Sequence, residues 1–146
     1  MSQPDATPRR PLVCLMFALV VAWSGAAAAE GEGVSVELNK LEPADNACRT
    51  YLVLENGFER DLESLRLDLV VFDHDGIIAR RLAVETGPLA AGTTRVKAFN
   101  FDRVDCGEVG RLLLNGVLDC DTADGAVEGC ARAIDASSRG DVPFIQ

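Results

Sequence analysis

The sequence predicts an all-β fold, an immunoglobulin-like β-sandwich of about seven short strands stapled by two disulfides. Three observations predict it. Apolar residues alternate with polar ones over short runs, the period of a half-buried strand. Asn-Gly and Asp-Gly pairs and loops rich in Gly and Pro separate those runs. Four of the five cysteines lie beyond residue 30, an even count that suits disulfides in a small exported domain. At 146 residues, 48% hydrophobic and 25% charged, the composition is that of one globular domain.

The first segment, residues 1–29, reads as a cleaved export signal. Arg9 and Arg10 precede the apolar run Leu12 to Trp23, and Ala26 to Ala29 supply small residues for cleavage. The run is shorter than the roughly 20 residues that span a bilayer, which disfavours a membrane anchor. Cys14 sits at the start of the apolar run behind Leu12 and Val13, the wrong place for a lipidated cysteine. The Arg pair raises the twin-arginine route, although Pro11 and the strongly apolar run suit the ordinary secretory route. Residues 30–146 then form the single domain.

Val34 to Leu41 alternates, with Val34, Val36 and Leu38 on one face and Ser35, Glu37 and Asn39 on the other; Pro43, Asp45 and Asn46 break it. Cys48 to Glu55 is rich in strand formers on both faces and reads as central. Asn56-Gly57 is a turn signal. Leu65 to Asp73 is the clearest strand, with Leu65, Leu67, Leu69 and Val71 on one face. The Asp73-His74-Asp75-Gly76 turn makes a hairpin with Ile77 to Glu85. In that arm Ile78, Leu82 and Val84 are expected to share a face, and Arg80 breaks it, which suggests a bulge or an edge position. Gly87 to Gly92 is a connecting loop, and Thr93 to Phe101 a strand in which Val96 and Ala98 alternate with Arg95, Lys97 and Phe99. Gly110 to Leu118 is apolar enough to be buried, and Gly116 favours strand over helix. Cys130 to Ala136 reads as a last strand with Ile134 in the core, followed by a loose tail from Ser137 to Gln146 in which Phe144 can tuck back.

Cys48, Cys106, Cys120 and Cys130 allow three disulfide pairings. The preferred one joins Cys120 to Cys130 across a short turn-rich loop, and Cys48 to Cys106 from an early strand to a late one. A zinc site or redox pair would call for a C-x-x-C spacing, and none occurs.

The run LRLDLVVFDHDGIIARRLAVETGPLAAGTTRVKAFNF, a hairpin with an Asp-Gly turn followed by a Gly-x-Thr loop and a strand, resembles FxLyD-type bacterial sandwich modules. The segments VSVELNKLEPADNACRTYLVLEN and GRLLLNGVLDC, the Gly129-Cys130 pair and SSRGDVPF resemble small exported alphaproteobacterial proteins known as Tat pathway signal sequence domain proteins. That resemblance implies location and fold. It implies no catalytic residues.

Candidate sites are few. His74, the sole histidine, sits between two aspartates in a turn, a place for a turn residue rather than a catalytic base. The acidic stretch from Asp119 through Asp121 and Asp124 to Glu128 offers hard oxygens for calcium, but its register differs from the EF-hand loop. Arg139-Gly140-Asp141 matches an integrin-binding tripeptide and reads as a turn. Phe99 and Phe101 make either an exposed aromatic pair or core packing. Beyond the signal no Met and one His remain, which disfavours copper or nickel handling; no Trp remains and Tyr51 falls in a central strand, which disfavours sugar binding. A formal net charge of -9 argues against nucleic acid as a partner. The expected function is therefore non-catalytic: an exported, periplasmic or secreted module that binds another protein, the partner being a basic one. No cofactor is expected, and no membrane contact after signal cleavage. The alternatives are a calcium-dependent module using the Asp119–Glu128 loop, and an inhibitor of a basic envelope hydrolase.

Overall fold

The computed structural model of the protein describes Met1 and residues 32–146. The expected export signal, with Cys14, lies outside the described residues beyond Met1.

The chain forms two packed sheets. β1 (Val34–Ala44), β2 (Ala47–Asn56), β5 (Thr94–Asp102) and β8 (Ile134–Ser138) make the first, in the order β5-β2-β1-β8. β3 (Ser64–Phe72), β4 (Ile78–Glu85), β6 (Arg111–Thr122) and β7 (Gly125–Ala126) make the second, in the order β4-β3-β6-β7, and β9 (Phe144–Ile145) pairs with β6. Two hairpins, β1–β2 and β3–β4, supply one half of each sheet, and the chain then crosses back so that β5 pairs with β2 and β6 with β3. Pairing of strands distant in sequence across two facing sheets is the architecture of an immunoglobulin-like sandwich.

The core follows the strand period. On β1, Val34, Val36 and Leu38 are buried, and Ser35 and Asn39 are exposed. On β2 the buried series is Cys48, Thr50, Leu52 and Leu54. These face Leu65, Leu67, Leu69 and Val71 of β3 and Leu112 and Leu114 of β6. β3, flanked on both sides, also buries Asp68 and Val70 on its other face. Burial of that many Leu and Val side chains, each worth roughly 1.5–3 kcal/mol, supplies the driving force.

Both expected disulfides form: Cys48–Cys106 and Cys120–Cys130. Cys106 lies in a 3-10 turn, Cys106–Glu108, rather than on a late strand. Cys130 opens another, Cys130–Ala133, so the expected strand begins only at Ile134, which is buried as expected.

Several expectations need correction. β1 runs through Pro43, which pairs with Cys48, and the reversal falls at Asp45-Asn46, where Asn46 adopts φ 52°. The Asn56-Gly57 turn forms, the Asn56 Oδ1 accepting from the Phe58 amide at 3.0 Å, but its asparagine is not a surface turn residue. Asn56 is buried at the end of β2, with its amide nitrogen donating to the carbonyls of Arg60 and Leu89. Ile78 does not share a face with Leu82 and Val84. A bulge between Arg80 and Ile78 flips it outward, opposite Phe72, while Arg80 stays on the inner face opposite Val71. The tail is tied down: β8 extends to Ser138 and lies parallel to β1, and β9 lies parallel to β6 with Phe144 buried. Phe99 and Phe101 settle as packing, edge to face with centroids 5.1 Å apart and Phe101 in the core.

The outer face of the second sheet carries a polar cluster. Asp68, whose side chain is 6% exposed, accepts two hydrogen bonds from the Arg81 guanidinium at 2.8 and 2.7 Å. It also accepts one from Asn115 at 2.6 Å. Asn115 reaches it because β6 bulges there, between Gly116 and Leu114. The Arg81 and Asn115 hydrogen bonds hold the Asp68 carboxyl below its ordinary range, against the opposing pull of burial. A depressed folded pKa contributes stability above the unfolded value, about 3.9, and that contribution is lost as pH falls through the folded pKa. Asp68→Asn is thus expected to be less stable than the wild type in urea at pH 7. The gap should narrow as the pH drops from 7 towards 3; a gap independent of pH would contradict the linkage.

Candidate functional site

One end of the sandwich gathers the β1–β2 turn, the β3–β4 turn and the connection from β5 to β6. The β3–β4 turn is built by Asp73. Its Oδ1 accepts from the amides of Asp75 and Ile77 at 3.0 and 2.8 Å, and Gly76 takes the left-handed φ of 79°.

The turn is clamped from the side. The His74 ring Nε2 lies 3.0 Å from the Gly107 carbonyl. The Gly110 amide donates to the Phe72 carbonyl at 2.8 Å. Gly110 is needed for that approach, since a Cβ there would stand 2.3 Å from the Asp73 carbonyl oxygen. The Arg111 guanidinium lies over the Phe72 ring at 4.4 Å. His74 is thus a turn residue that joins two loops.

The clamped turn presents Ile77 and Ile78, 64% and 60% exposed. The same end of the sandwich carries the exposed acids Asp45, Asp75, Asp102, Asp105 and Glu108, and also the exposed cations Arg103 and Arg111, the latter lying over Phe72, which pairs with Ile78. Asp105 caps the 3-10 turn by accepting from the Gly107 amide, and the Cys48–Cys106 disulfide fixes that turn to β2. The result is an apolar tip on a braced hairpin, at an end of the sandwich where these acids outnumber Arg103 and Arg111. The sequence reading placed Ile78 inside. The available signal was the Ile77-Ile78 pair itself, since adjacent strand residues point to opposite faces and one must look outward.

The other candidates disperse. Asp119 lies 3.6 Å from Arg66, and Asp121 accepts from the Ser64 hydroxyl at 3.2 Å. Asp124 is in the β6–β7 turn and Glu128 lies beyond β7. The structure does not bring these acids together as a calcium site, and among the described residues no group of three or more His, Cys, Asp or Glu is placed to hold a metal ion. In the Arg139-Gly140-Asp141 segment the Arg139 guanidinium is engaged by both oxygens of Glu37 at 2.9 Å. That pairing holds the Glu37 carboxyl below its ordinary range, with Asn39 adding a third hydrogen bond. Gly140 and Asp141 border an open groove of about 310 Å³ between β1 and the Cys106 turn. Tyr51 is half-buried on the outer face of the central strand β2, beneath the Lys40 ammonium at 5.7 Å. Among the described residues no helix is long and apolar enough to cross a membrane.

No family model matches the chain, and no curated protein matches it. Among solved structures, the chain is similar to IrmA from Escherichia coli, at 16% identity and a TM-score of 0.59, over 71% of this chain and 90% of that one. At that identity the likeness concerns the fold alone, and it agrees with the two-sheet sandwich described above.

Proposed function

We propose that the chain is an exported, non-catalytic module that binds a basic protein partner through the Ile77-Ile78 tip. The observation that carries this reading is the exposure of two large apolar side chains on a hairpin braced by Asp73, His74 and Gly110. Contiguous exposed apolar surface with a polar rim marks interaction sites, and a braced loop loses little entropy when it binds. The excess of carboxylates at that end and the formal net charge of -9 steer a cationic partner. The two disulfides are bonds of an oxidising compartment. Together with the signal-like residues 1–29 and the resemblance to Tat pathway signal sequence domain proteins, they support the periplasm or the exterior as the place of action.

The test places a photo-crosslinking residue at Ile77, and at Ala123 on the opposite end, in cells that export the protein. A discrete adduct is expected at Ile77 and not at Ala123. Purified with that partner, the chain should associate several-fold more slowly as salt rises from about 0.05 to 0.5 M. Ile77→Asp with Ile78→Asp should abolish the adduct while leaving the melting midpoint within error. Equal adducts at both ends, or an adduct that survives the double substitution, would sink the reading.

A further inference from the structure

The side of the sandwich where β4 and β5 lie next to each other has a different chemistry from the rest of this acidic chain. β5 keeps nine consecutive antiparallel pairs with β2 and no register shift. No strand pairs with its other side among the described residues. β4 is interrupted by its bulge, whereas β5 is an open and regular edge.

Directly paired residues of antiparallel strands share a face. Arg95 and Lys97 pair with the buried Leu54 and Leu52, and Arg80 of β4 with the buried Val71, so all three cations sit on the inner faces, at the mouth between the sheets. None of the three has an ion-pair partner among the described residues, although acids outnumber bases 23 to 14 in the sequence. On the opposite face of β5, Val96 is 66% exposed and Ala98 is exposed beside it.

We propose that β5 is a strand-addition site for an extended acidic segment of a partner protein. The incoming strand's backbone would complete the open edge of β5. Its side chains alternate, so those on the mouth side meet Arg95, Lys97 and Arg80 and are acidic. Those on the other side meet Val96 and Ala98 and are small and apolar. Inward cations at an edge also discourage indiscriminate strand pairing, and here they select the sign of the strand that is admitted. The site is separate from the Ile77-Ile78 tip and calls for a partner segment of opposite charge.

The test uses a capped octapeptide of alternating Glu and Val, with a Lys-Val octapeptide as comparison, against the full chain. Backbone NMR with amide exchange is expected to show Glu-Val binding with new protection confined to residues 94–102. The Arg95→Glu, Lys97→Glu variant should bind at least about tenfold more weakly with an unchanged melting midpoint. Ile77→Asp with Ile78→Asp should bind the peptide normally, which separates this site from the tip. The proposal is overturned by equal binding of the Lys-Val peptide, by protection elsewhere, by no binding at millimolar peptide, or by binding indifferent to the charge reversal. Dimerisation of the chain through β5 would make a second copy the occupant. Pelleting with anionic vesicles through Arg95 and Lys97 would make it a lipid surface. Either result overturns the proposal too.

Discussion

Replacing Cys48 and Cys106 together with Ala is expected to lower unfolding stability by about 4 kcal/mol. The pair spans 58 residues of sequence, and cutting it frees a loop of that size in the unfolded chain. The same substitution at Cys120 and Cys130, 10 residues apart, should cost about 3 kcal/mol. A small domain has about 5–15 kcal/mol in all, so the first change removes a large share. Urea midpoints of the two double variants and the wild type, without reductant, measure the order directly. The Cys48–Cys106 variant should fall further. It should also loosen the acidic end, because Cys106 anchors the turn whose Gly107 carbonyl contacts His74. Equal midpoints for all three proteins would contradict the expectation.

Asn56→Ala carries the next largest expected effect, about 3 kcal/mol. The side chain has no solvent exposure. It donates to the carbonyls of Arg60 and Leu89 at 3.0 and 2.9 Å, and its oxygen accepts from the Phe58 amide at 3.0 Å. One residue thus serves the end of β2 and the two loops that follow β2 and β4. Alanine leaves two carbonyls and an amide without those partners, the bond to Leu89 buried and the other two part-buried, and each such loss costs about 1 kcal/mol. Asn56→Asp retains the acceptor but cannot donate to the two carbonyls when ionised, and it is expected to be no more stable than Ala at pH 7. Thermal or urea unfolding of both variants checks this. A midpoint for Asn56→Ala within error of the wild type would show that water takes over all three partners.

The same residue shows where sequence reasoning stops. Asn-Gly is a local turn signal, and the burial of Asn56 depends on a loop more than 30 residues away. Residues whose environment is set within their own strand were legible, as in the inward Val34, Val36 and Leu38 and the core face of β3. The cysteine pairing was legible because a short turn-rich loop joins one pair and leaves the other. Edge strands were harder. On β4 a single bulge displaced Ile78, and on β5 the choice between Val96 and Lys97 for the inner face is made by pairing with Leu52, which period alone does not reveal. β9 is two residues long and has no period, so its pairing with β6 left only Phe144 as a hint. Of the candidate site, the turn chemistry around His74 was visible, while the exposed isoleucine tip was only half visible.

The last stretch of chain leaves the first sheet as β8 and joins the second as β9. Ser138 spans the step, its hydroxyl donating to the Val142 carbonyl at 2.6 Å. Mechanically, chain therefore laces both long sides of the sandwich: β8 into β9 on one, and β4 into β5 through residues 86–93 on the other, where the two strands share no ladder. Pulling on the C-terminus thus loads the β6–β9 pairing and, through the buried Phe144, the core at the same time.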